Sequence, residues 1–141
     1  MGTGLTGAHR FRVEIDGLYV AGFSEVSGLD IETEVDDYRE GGNNGYVHTY
    51  VLGTKYSNLV LKRGITDSEL WNWYMNAVEG NIQRKNGSVV VLDSEGQETF
   101  RWNFYEAYPI KWTGPQLSAM SSEIAVESIE LAHNGIKAVF S

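Results

Sequence analysis

The sequence contains no cysteine and only two prolines. Without cysteine, the chain can form no disulfide, no zinc–thiolate site and no thiol nucleophile. It also lacks any stretch of about 18 apolar residues, which argues against a membrane-spanning helix and a membrane anchor of that kind. The first ten residues have no apolar core of the length that a signal peptide needs, so we expect the chain to fold in the cytoplasm.

Positive charge is scarce. Eleven Lys and Arg oppose 19 Asp and Glu, so the formal net charge is -8, which disfavours binding to nucleic acid or to an anionic membrane. The only histidines are His9, His48 and His133, and their spacing does not indicate a metal site. No pattern marks a nucleophile or a phosphate loop. We therefore expect no enzyme activity, no metal and no cofactor.

The 141 residues, 42% of them hydrophobic, are enough for one domain with a real core. We predict a single domain over residues 1–141. The first nine residues are small and glycine-rich, so residues 1–9 are predicted to be a flexible tail.

Most of the chain has strand patterns, which predict a mainly β fold: a barrel or sandwich of two antiparallel sheets with one flanking helix. Residues 10–15 alternate, Asp16-Gly17 predicts a tight turn, and 18–21 predict a returning strand. Residues 88–92 are continuously apolar, which indicates a strand buried on both faces. The long strand 99–112 needs a bend near 107–109, where Pro109 cannot donate a hydrogen bond. A phase change in 123–133 predicts a bulge near Glu127-Ser128.

The stretch from Val26 to Ile65 predicts two long central strands. On the outgoing strand one face carries a row of acids, about 6.5–7 Å apart along the strand: Asp30, Glu32, Glu34 and Asp36. Unpaired carboxylates cannot line a dry core. The row is therefore either an ordinary solvated face or the wall of an aqueous channel, and a solvated pattern fits both.

The connection between these strands, residues 41–54, is glycine-rich at its start and too long for a tight hairpin. We predict a long inter-strand loop or arm, with the returning strand at 55–64. Long loops in small domains are often functional or bound to a partner, and disorder is the alternative. Residues 46–51 are β-prone and could form an added strand or an ordered arm, and their tyrosines and valines argue against pure disorder.

One helix is predicted after Thr66, which is placed to cap it, with Glu69 completing a capping box. The residues that follow helical spacing are Leu70, Trp73, Tyr74 and Ala77. We interpret them as the core face of the helix. A ligand cage built from Trp71, Trp73 and Tyr74 is the alternative.

Several motifs in this order resemble a known family. They are Val26-Ser27-Gly28-Leu29, then Asp37-Tyr38-Arg39-Glu40-Gly41, then Leu59-Val60-Leu61-Lys62-Arg63-Gly64, then the helix start at Asp67-Ser68-Glu69-Leu70-Trp71. Trp102-Asn103 and the run from Ile124 to Leu131 agree with it. The set resembles the inner-tube proteins of contractile tails: the gp19-like phage tail tube proteins and their relatives in extracellular contractile injection systems.

This resemblance implies a structural protein that forms hexameric rings, which stack into a tube inside a contractile sheath and deliver cargo through a target envelope. The implied partners are other copies of the chain, the sheath protein, baseplate or hub and tube-terminator proteins, and cargo effectors in the lumen. The acidic row becomes a candidate lumen wall. The candidate contacts between subunits or rings are Tyr38, Arg39, Glu40, Asn43, Asn44, Tyr46, His48 and Tyr50. The particle would assemble in the bacterial cytoplasm and act at the cell envelope or after release.

Two alternatives remain open. The chain could be a baseplate-proximal initiator of the same tube rather than its repeating subunit. In a different class, four Trp and eight Tyr could supply the stacking platform of a monomeric β-sandwich that binds carbohydrate. That second interpretation requires aromatic side chains to cluster on an exposed face.

Overall fold

The computed structural model describes residues 10–38 and 48–140. Its strands are β1 (Arg10–Ile15), β2 (Phe23–Ser27), β3 (Ile31–Tyr38), β4 (His48–Tyr56), β5 (Leu59–Gly64), β6 (Lys85–Leu92), β7 (Glu98–Thr113), β8 (Val126–Ala132) and β9 (Ile136–Phe140). The helix α1 (Glu69–Val78) lies between β5 and β6 in sequence. The fold is mainly β with two antiparallel sheets and a helix, which confirms the predicted class. The predicted tail, 1–9, lies outside the described residues.

The long strand β7 is shared by two layers. Its first part pairs with β6 on one side and β9 on the other, and β6 pairs in turn with β1. We call this layer the first sheet. The last part of β7, Tyr108–Thr113, pairs with β8, and β8 continues to β5 and β2. We call this layer the second sheet. All of these pairings are antiparallel.

A bend in β7 joins the two sheets. The register against β6 shifts between Phe104 and Ala107, and the register against β8 shifts between Pro109 and Lys111. Within the first shift, Glu106 has a φ of 56°, which is unusual for a residue other than glycine. Its backbone N–H donates to Asn86 Oδ1 at 2.9 Å. The bend predicted near 107–109 is therefore confirmed as two bulges.

The bulge predicted in the last long strand is wrong. β8 pairs with β5 without a register shift, and its inward positions are Glu127, Ile129 and Leu131. The apparent change of phase arose because Ile124 lies before the strand and Val126 faces outward, each substantially exposed. An inward-facing glutamate is rare. The alternation of Ile124 and Val126 therefore predicted that these two residues, rather than Glu127, face inward.

One hydrophobic core lies between the two sheets and the helix. Its buried members are Val13, Ile15, Phe23, Leu59, Leu61, Leu70, Trp73, Val89, Phe104, Ala107, Ile129, Leu131 and Ile136. β6 is buried from Gly87 to Val91, as its continuous apolar run predicts.

The helix presents Leu70 and Trp73 to this core, with Tyr74 and Ala77 half-buried. The predicted cap at Thr66 is not formed: the N-cap position is Ser68, whose side chain makes no capping hydrogen bond, and Asp67 Oδ1 accepts from the N–H of Glu69 at 2.9 Å. A carboxylate at this position is also stabilised by the positive N-terminal end of the helix dipole.

Two charged residues lie inside the core. Arg63 is fully buried and Glu127 is 1% exposed; Arg63 Nε donates to Glu127 Oε2 at 2.8 Å. A second carboxylate, that of Asp67, accepts from the same guanidinium at 2.6 Å, and Trp112 Nε1 donates to Glu127 Oε1 at 2.9 Å. Although burial opposes its charge, these hydrogen bonds raise the pKa of Arg63. The network ties β5, β7, β8 and the start of α1 together.

Two predicted boundaries are wrong. Residues 18–21 are not a strand: Leu18 forms a single bridge with Ile15, and the chain then leaves β1. The predicted boundary between the loop over 41–54 and the returning strand over 55–64 is also wrong. Residues 48–54 belong to β4, and the chain breaks at Ser57-Asn58 before β5 begins. The connection between β3 and β4 is thus shorter than predicted, and it lies outside the described residues.

Candidate assembly surfaces

β3 and β4 form a two-stranded sheet of their own, which we call the ribbon. Among the described strands, they pair only with each other and with no strand of the first or second sheet. Their register aligns Ile31 with Tyr56 and Glu34 with Gly53, then shifts so that Val35 aligns with Val51. The shift leaves the extra residue, Leu52, on β4, so alternation along β3 is uninterrupted.

One face of the ribbon carries the acidic row. Glu32, Glu34 and Asp36 occupy alternate positions of β3, and all three are exposed. Asp30 is also exposed but precedes the strand. The ribbon therefore presents a solvated acidic face. This geometry fits both the plain solvated surface and the channel wall that the sequence left open.

The other face of the ribbon is apolar. Ile31, Val35 and Val51 are exposed by 57%, 50% and 72%. Only at its base does this face reach the core, where Tyr56 packs against the buried cluster. An isolated two-stranded hairpin is marginally stable in water. The exposed apolar face therefore needs a cover that the described part of the chain does not supply.

Three of the predicted contact residues, Tyr38, His48 and Tyr50, lie at the far end of the ribbon. The backbone of Tyr38 pairs with His48, and Tyr50 lies in the same part of β4. The others, Arg39, Glu40, Asn43, Asn44 and Tyr46, lie outside the described residues.

A second apolar surface lies at β9, which the sequence analysis did not identify as a site. The Phe140 side chain is 72% exposed and meets Phe100 edge to face, with ring centroids 4.4 Å apart. Phe100 also contacts Trp102 at 4.3 Å. The side of β9 away from β7 pairs with no described strand. In the sequence, the alternation of Ile136, Ala138 and Phe140 is consistent with a short final strand, but it does not show which edge of that strand is unpaired.

The outward face of the first sheet is charged. Arg101 on β7 contacts Glu98 at 2.8 Å and Glu14 at 3.1 Å, and Arg12 contacts Glu14 at 2.9 Å. The hydrogen bonds from Arg101 hold the pKa of Glu98 below its usual value. Directly beneath these ions Val90 is fully buried. The charged side chains of this face are thus paired with one another, partly exposed, and cover Val90.

A cavity of about 330 Å³ lies beneath the loop between β7 and β8. Its charged lining includes Lys62, Glu123 and Glu127. Both carboxylate oxygens of Glu127 already accept hydrogen bonds, from Arg63 and Trp112. Within the described residues, no three His, Cys, Asp or Glu side chains are grouped so that they could hold a metal ion.

The aromatic cage considered for α1 is not formed. Trp73 is buried and its Nε1 donates to the carbonyl of Gln83 at 2.9 Å. Trp71 is 42% exposed and rests edge to face on Trp112, with ring centroids 4.8 Å apart. The aromatic side chains of this region pack into the fold rather than form an open platform.

These surfaces define a class: a β-sandwich subunit with an amphipathic ribbon and unpaired strand edges, built to associate. Residues 7–137 match the family model described as T4-like virus tail tube protein gp19. The chain belongs to this family and is a structural protein of a tail tube.

Solved structures agree with this assignment. A chain in the PVC sheath-tube complex, an extracellular contractile injection system in the extended state, is 26% identical, with a TM-score of 0.84 over 96% of this chain and 91% of that one. A chain in the anti-feeding prophage baseplate is 24% identical, with a TM-score of 0.85 over 99% and 98%. Hcp1 from Flavobacterium johnsoniae, at 16% identity, shares the fold with a TM-score of 0.56 over 92% and 96%.

The search of curated proteins found no match. No helix within the described ranges is long and apolar enough to cross a membrane.

Proposed function

We propose that this chain is the repeating subunit of the inner tube of a contractile injection system or contractile phage tail, that six copies form a ring, and that it has no catalytic role. The observation that carries the proposal is the amphipathic ribbon on a chain of the tail tube family. Its apolar face is exposed in a single copy, and stacking identical copies would cover it without any other protein.

The ribbon supports a division of roles between its faces. The acidic face, with Glu32, Glu34 and Asp36, would line an aqueous lumen, together with Asp30 before the strand. The apolar face would pack on a neighbour. A lumen with this lining repels anionic cargo and attracts basic protein surfaces at short range.

The far end of the ribbon, with Tyr38, His48 and Tyr50, would contact the next ring, together with Arg39, Glu40, Asn43, Asn44 and Tyr46. This end lies farthest along the strands from Tyr56, which packs on the core. It is therefore free to reach beyond the body of its own subunit.

The partners of the tube follow from the relatives. One solved relative belongs to a sheath-tube complex and another to a baseplate, and a third belongs to a sheath/tube terminator. We infer that this tube is likewise enclosed by a sheath, starts at a baseplate and ends at a terminator. It would assemble in the bacterial cytoplasm and deliver effectors from a released or envelope-bound particle.

The test compares two glutamate substitutions by negative-stain microscopy and light scattering. Val51→Glu places a charge on the apolar face and is expected to abolish rings and tubes, because burying an unpaired carboxylate is costly. Tyr19→Glu changes a side chain that is 92% exposed on a segment outside the ribbon, and should leave the tubes intact. Both variants should keep the circular dichroism spectrum of the parent chain.

Normal tubes from Val51→Glu, or a parent chain that stays monomeric at every concentration, would contradict the proposal. In the same assay, replacing Gly41–Gly45 by Asn-Gly is expected to leave rings but prevent their stacking. Long tubes from that variant would exclude this end of the ribbon as the contact between rings.

A further inference from the structure

His133 lies in the turn between β8 and β9 and is hydrogen-bonded through both ring nitrogens. Its Nε2 lies 2.8 Å from the carbonyl oxygen of Ser57, and its Nδ1 accepts from the backbone N–H of Gly135 at 3.0 Å. Because only an unprotonated nitrogen can accept that N–H, the ring proton is on Nε2, which donates to Ser57. The two contacts therefore require the neutral ring in one tautomer.

Ser57 lies in the root of the ribbon, which we define as residues 28–30 and 57–58, the connections from the ribbon to β2 and β5. Within the described residues, the ribbon pairs with no strand of the first or second sheet. The angle between the ribbon and the body of the subunit therefore depends on contacts at the root. The bond from His133 is one of them, and it joins the root to the turn between β8 and β9.

Other contacts of the root join its two connections to each other. Gly28 has a φ of 94°, and a Cβ there would lie 1.9 Å from the carbonyl oxygen of Asn58. The N–H of Ser57 donates to the carbonyl of Asp30 at 3.4 Å. On the side of the body, Asn58 Nδ2 donates to Glu130 Oε2 at 2.9 Å in an exposed position. The root thus has a compact backbone but few polar bonds to the body.

Tyr56, the last residue of the ribbon, contacts the same turn. Its ring and the imidazole of His133 have centroids 5.8 Å apart, and a Cβ at Gly135 would lie 3.4 Å from the ring of Tyr56. Gly135 is itself buried. We call Tyr56, Ser57, His133 and Gly135 the latch, because together they fasten the end of the ribbon to the body.

We propose that His133 makes this latch sensitive to pH: it holds the ribbon at a fixed angle when the imidazole is neutral and releases it when the imidazole is protonated. The inference rests on the proposed function, since it concerns how the ribbon is presented to a neighbouring copy. Protonation places a hydrogen on Nδ1, facing the N–H of Gly135. That buried N–H then loses its acceptor, which is unfavourable. Moving the ring or the turn to relieve the conflict displaces the bond to Ser57.

A small rotation at the root becomes a large displacement at the far end of the ribbon. β3 has eight residues, so the ribbon is about 27 Å long at about 3.4 Å per residue. A rotation of about 10° moves its far end by about 5 Å, which is the distance between neighbouring strands. That displacement is enough to misplace the apolar side chains of Val35 and Val51 on a neighbouring copy.

The elements around the turn carry titratable residues of both signs. They are Asp30 in the root, Tyr56 on β4, Tyr105 on β7, Glu130 on β8 and Lys137 on β9. Among the side chains that the structure describes, no carboxylate oxygen lies within 4 Å of a ring nitrogen of His133. No ion pair there offsets the lost bond to Gly135.

The direction of the pH dependence follows from the tautomer. Because the closed latch contains neutral imidazole, added protons favour the open latch. Histidine ordinarily changes its charge between about pH 5 and 8. The latch is therefore closed at about pH 7.5 and opens as the pH falls toward about 5.5.

The test measures the ribbon angle in a chain that does not assemble. In the Val51→Glu variant, which we expect to be monomeric, spin labels are attached to Asp36→Cys on β3 and to Thr113→Cys at the end of β7. Both positions are exposed, and the chain has no other cysteine. Pulsed electron–electron double resonance then gives the distribution of distances between the labels at about pH 7.5 and about pH 5.5.

Two substitutions separate the titration of His133 from its contacts. His133→Gln does not titrate, but its amide can still donate to Ser57. His133→Asn has an oxygen that can accept from Gly135, but it is too short to reach Ser57. On acidification we expect the distribution of the labelled His133 chain to broaden or shift by about 5 Å. The Gln variant should be the same at both pH values, and the Asn variant should be broad at both.

Three results would overturn the inference. One is a distribution for the labelled His133 chain that does not change with pH. Another is a Gln variant that broadens in acid as the His133 chain does, since another group would then be responsible. The third is an Asn variant as narrow as the His133 chain at about pH 7.5.

Assembly is measured separately, without Val51→Glu or the labels. Tubes of the parent chain that form at about pH 7.5 should be lost at about pH 5.5, whereas those of His133→Gln should remain. Equal loss from both would overturn the role of the latch in assembly. A parent chain that forms no tubes at neutral pH would contradict the proposed function, and the distance measurement alone would then decide whether the latch exists.

Discussion

At the scale of single residues, the buried pair Arg63 and Glu127 is the strongest specific feature of the core. A buried ion pair contributes little over an apolar replacement of equal volume, but removing one partner leaves a charge without compensation. Here the guanidinium also binds Asp67, whose carboxylate accepts from the N–H of Glu69, the first residue of α1. One side chain therefore stabilises both the sheet and the start of the helix.

Replacing Arg63 by alanine is expected to lower the free energy of unfolding by about 3–5 kcal/mol, since the carboxylate of Glu127 would remain buried without its partner. Urea denaturation of the Val51→Glu variant background, which we expect to be monomeric, measures this without a contribution from assembly. The control is Lys62→Ala, which removes an exposed pair with Glu25 and should cost less than about 1 kcal/mol. Equal losses for the two variants would contradict the role given to the pair.

The sequence did not identify this network, for a physical reason. Arg63 shares the inward face of β5 with Leu61, and Glu127 shares that of β8 with Ile129, whereas charged residues are ordinarily assigned to the solvent face. Their mutual approach depends on the pairing of β5 with β8. Pairing between distant segments leaves no trace in local periodicity.

At the scale of elements, local patterns predicted what local physics determines. The helix, the buried strand β6 and the bend of β7 follow from helical spacing, a continuous apolar run and a proline. The ribbon was only partly predicted: the acidic face was clear, but a strand over 46–51 was one of two possibilities, and the boundary with the returning strand was placed at 55. The alternation of β4 is interrupted at Gly53 and at the bulged Leu52, and this interruption hid the continuity of the strand.

The left-handed backbone at Glu106 gives an element-scale prediction. Glycine adopts this conformation without steric cost, whereas other residues are strained by about 1 kcal/mol or more. Glu106→Gly is expected to raise the free energy of unfolding by up to about 1 kcal/mol, because the Glu106 side chain is exposed. Asn86→Ala should instead lower it by about 1 kcal/mol, since the bond to the N–H of Glu106 is lost. Thermal or urea unfolding of both variants measures the difference, and destabilisation by the glycine would contradict the strain.

At the scale of the whole molecule, the subunit buries one core and leaves other apolar surface uncovered. Ile31, Val35, Val51 and Phe140 are all at least half exposed, and the outer edges of β3 and β9 pair with no strand of the described residues. The family resemblance in the sequence anticipated association between copies. It did not locate the surfaces, because exposure on a strand is defined only once its sheet partners are known.

Association makes apparent stability depend on concentration. Copies that bind only the folded state raise the free energy of unfolding as the protein is concentrated, by up to about 1.4 kcal/mol for each tenfold step. For a chain of this length, each added kcal/mol raises Tm by about 2–4 °C. Differential scanning fluorimetry over a hundredfold concentration range measures the shift. A constant Tm would contradict association between copies.

The continuity of β7 through both layers has a mechanical consequence. Because one unbroken backbone runs from the first sheet into the second, an axial thrust on either layer passes to the other through covalent bonds. Where that thrust runs along β7, the hydrogen bonds to β6 and β8 resist it together, in shear, rather than opening one after another. A subunit with this architecture resists being pried apart between its layers when it is driven against an obstacle.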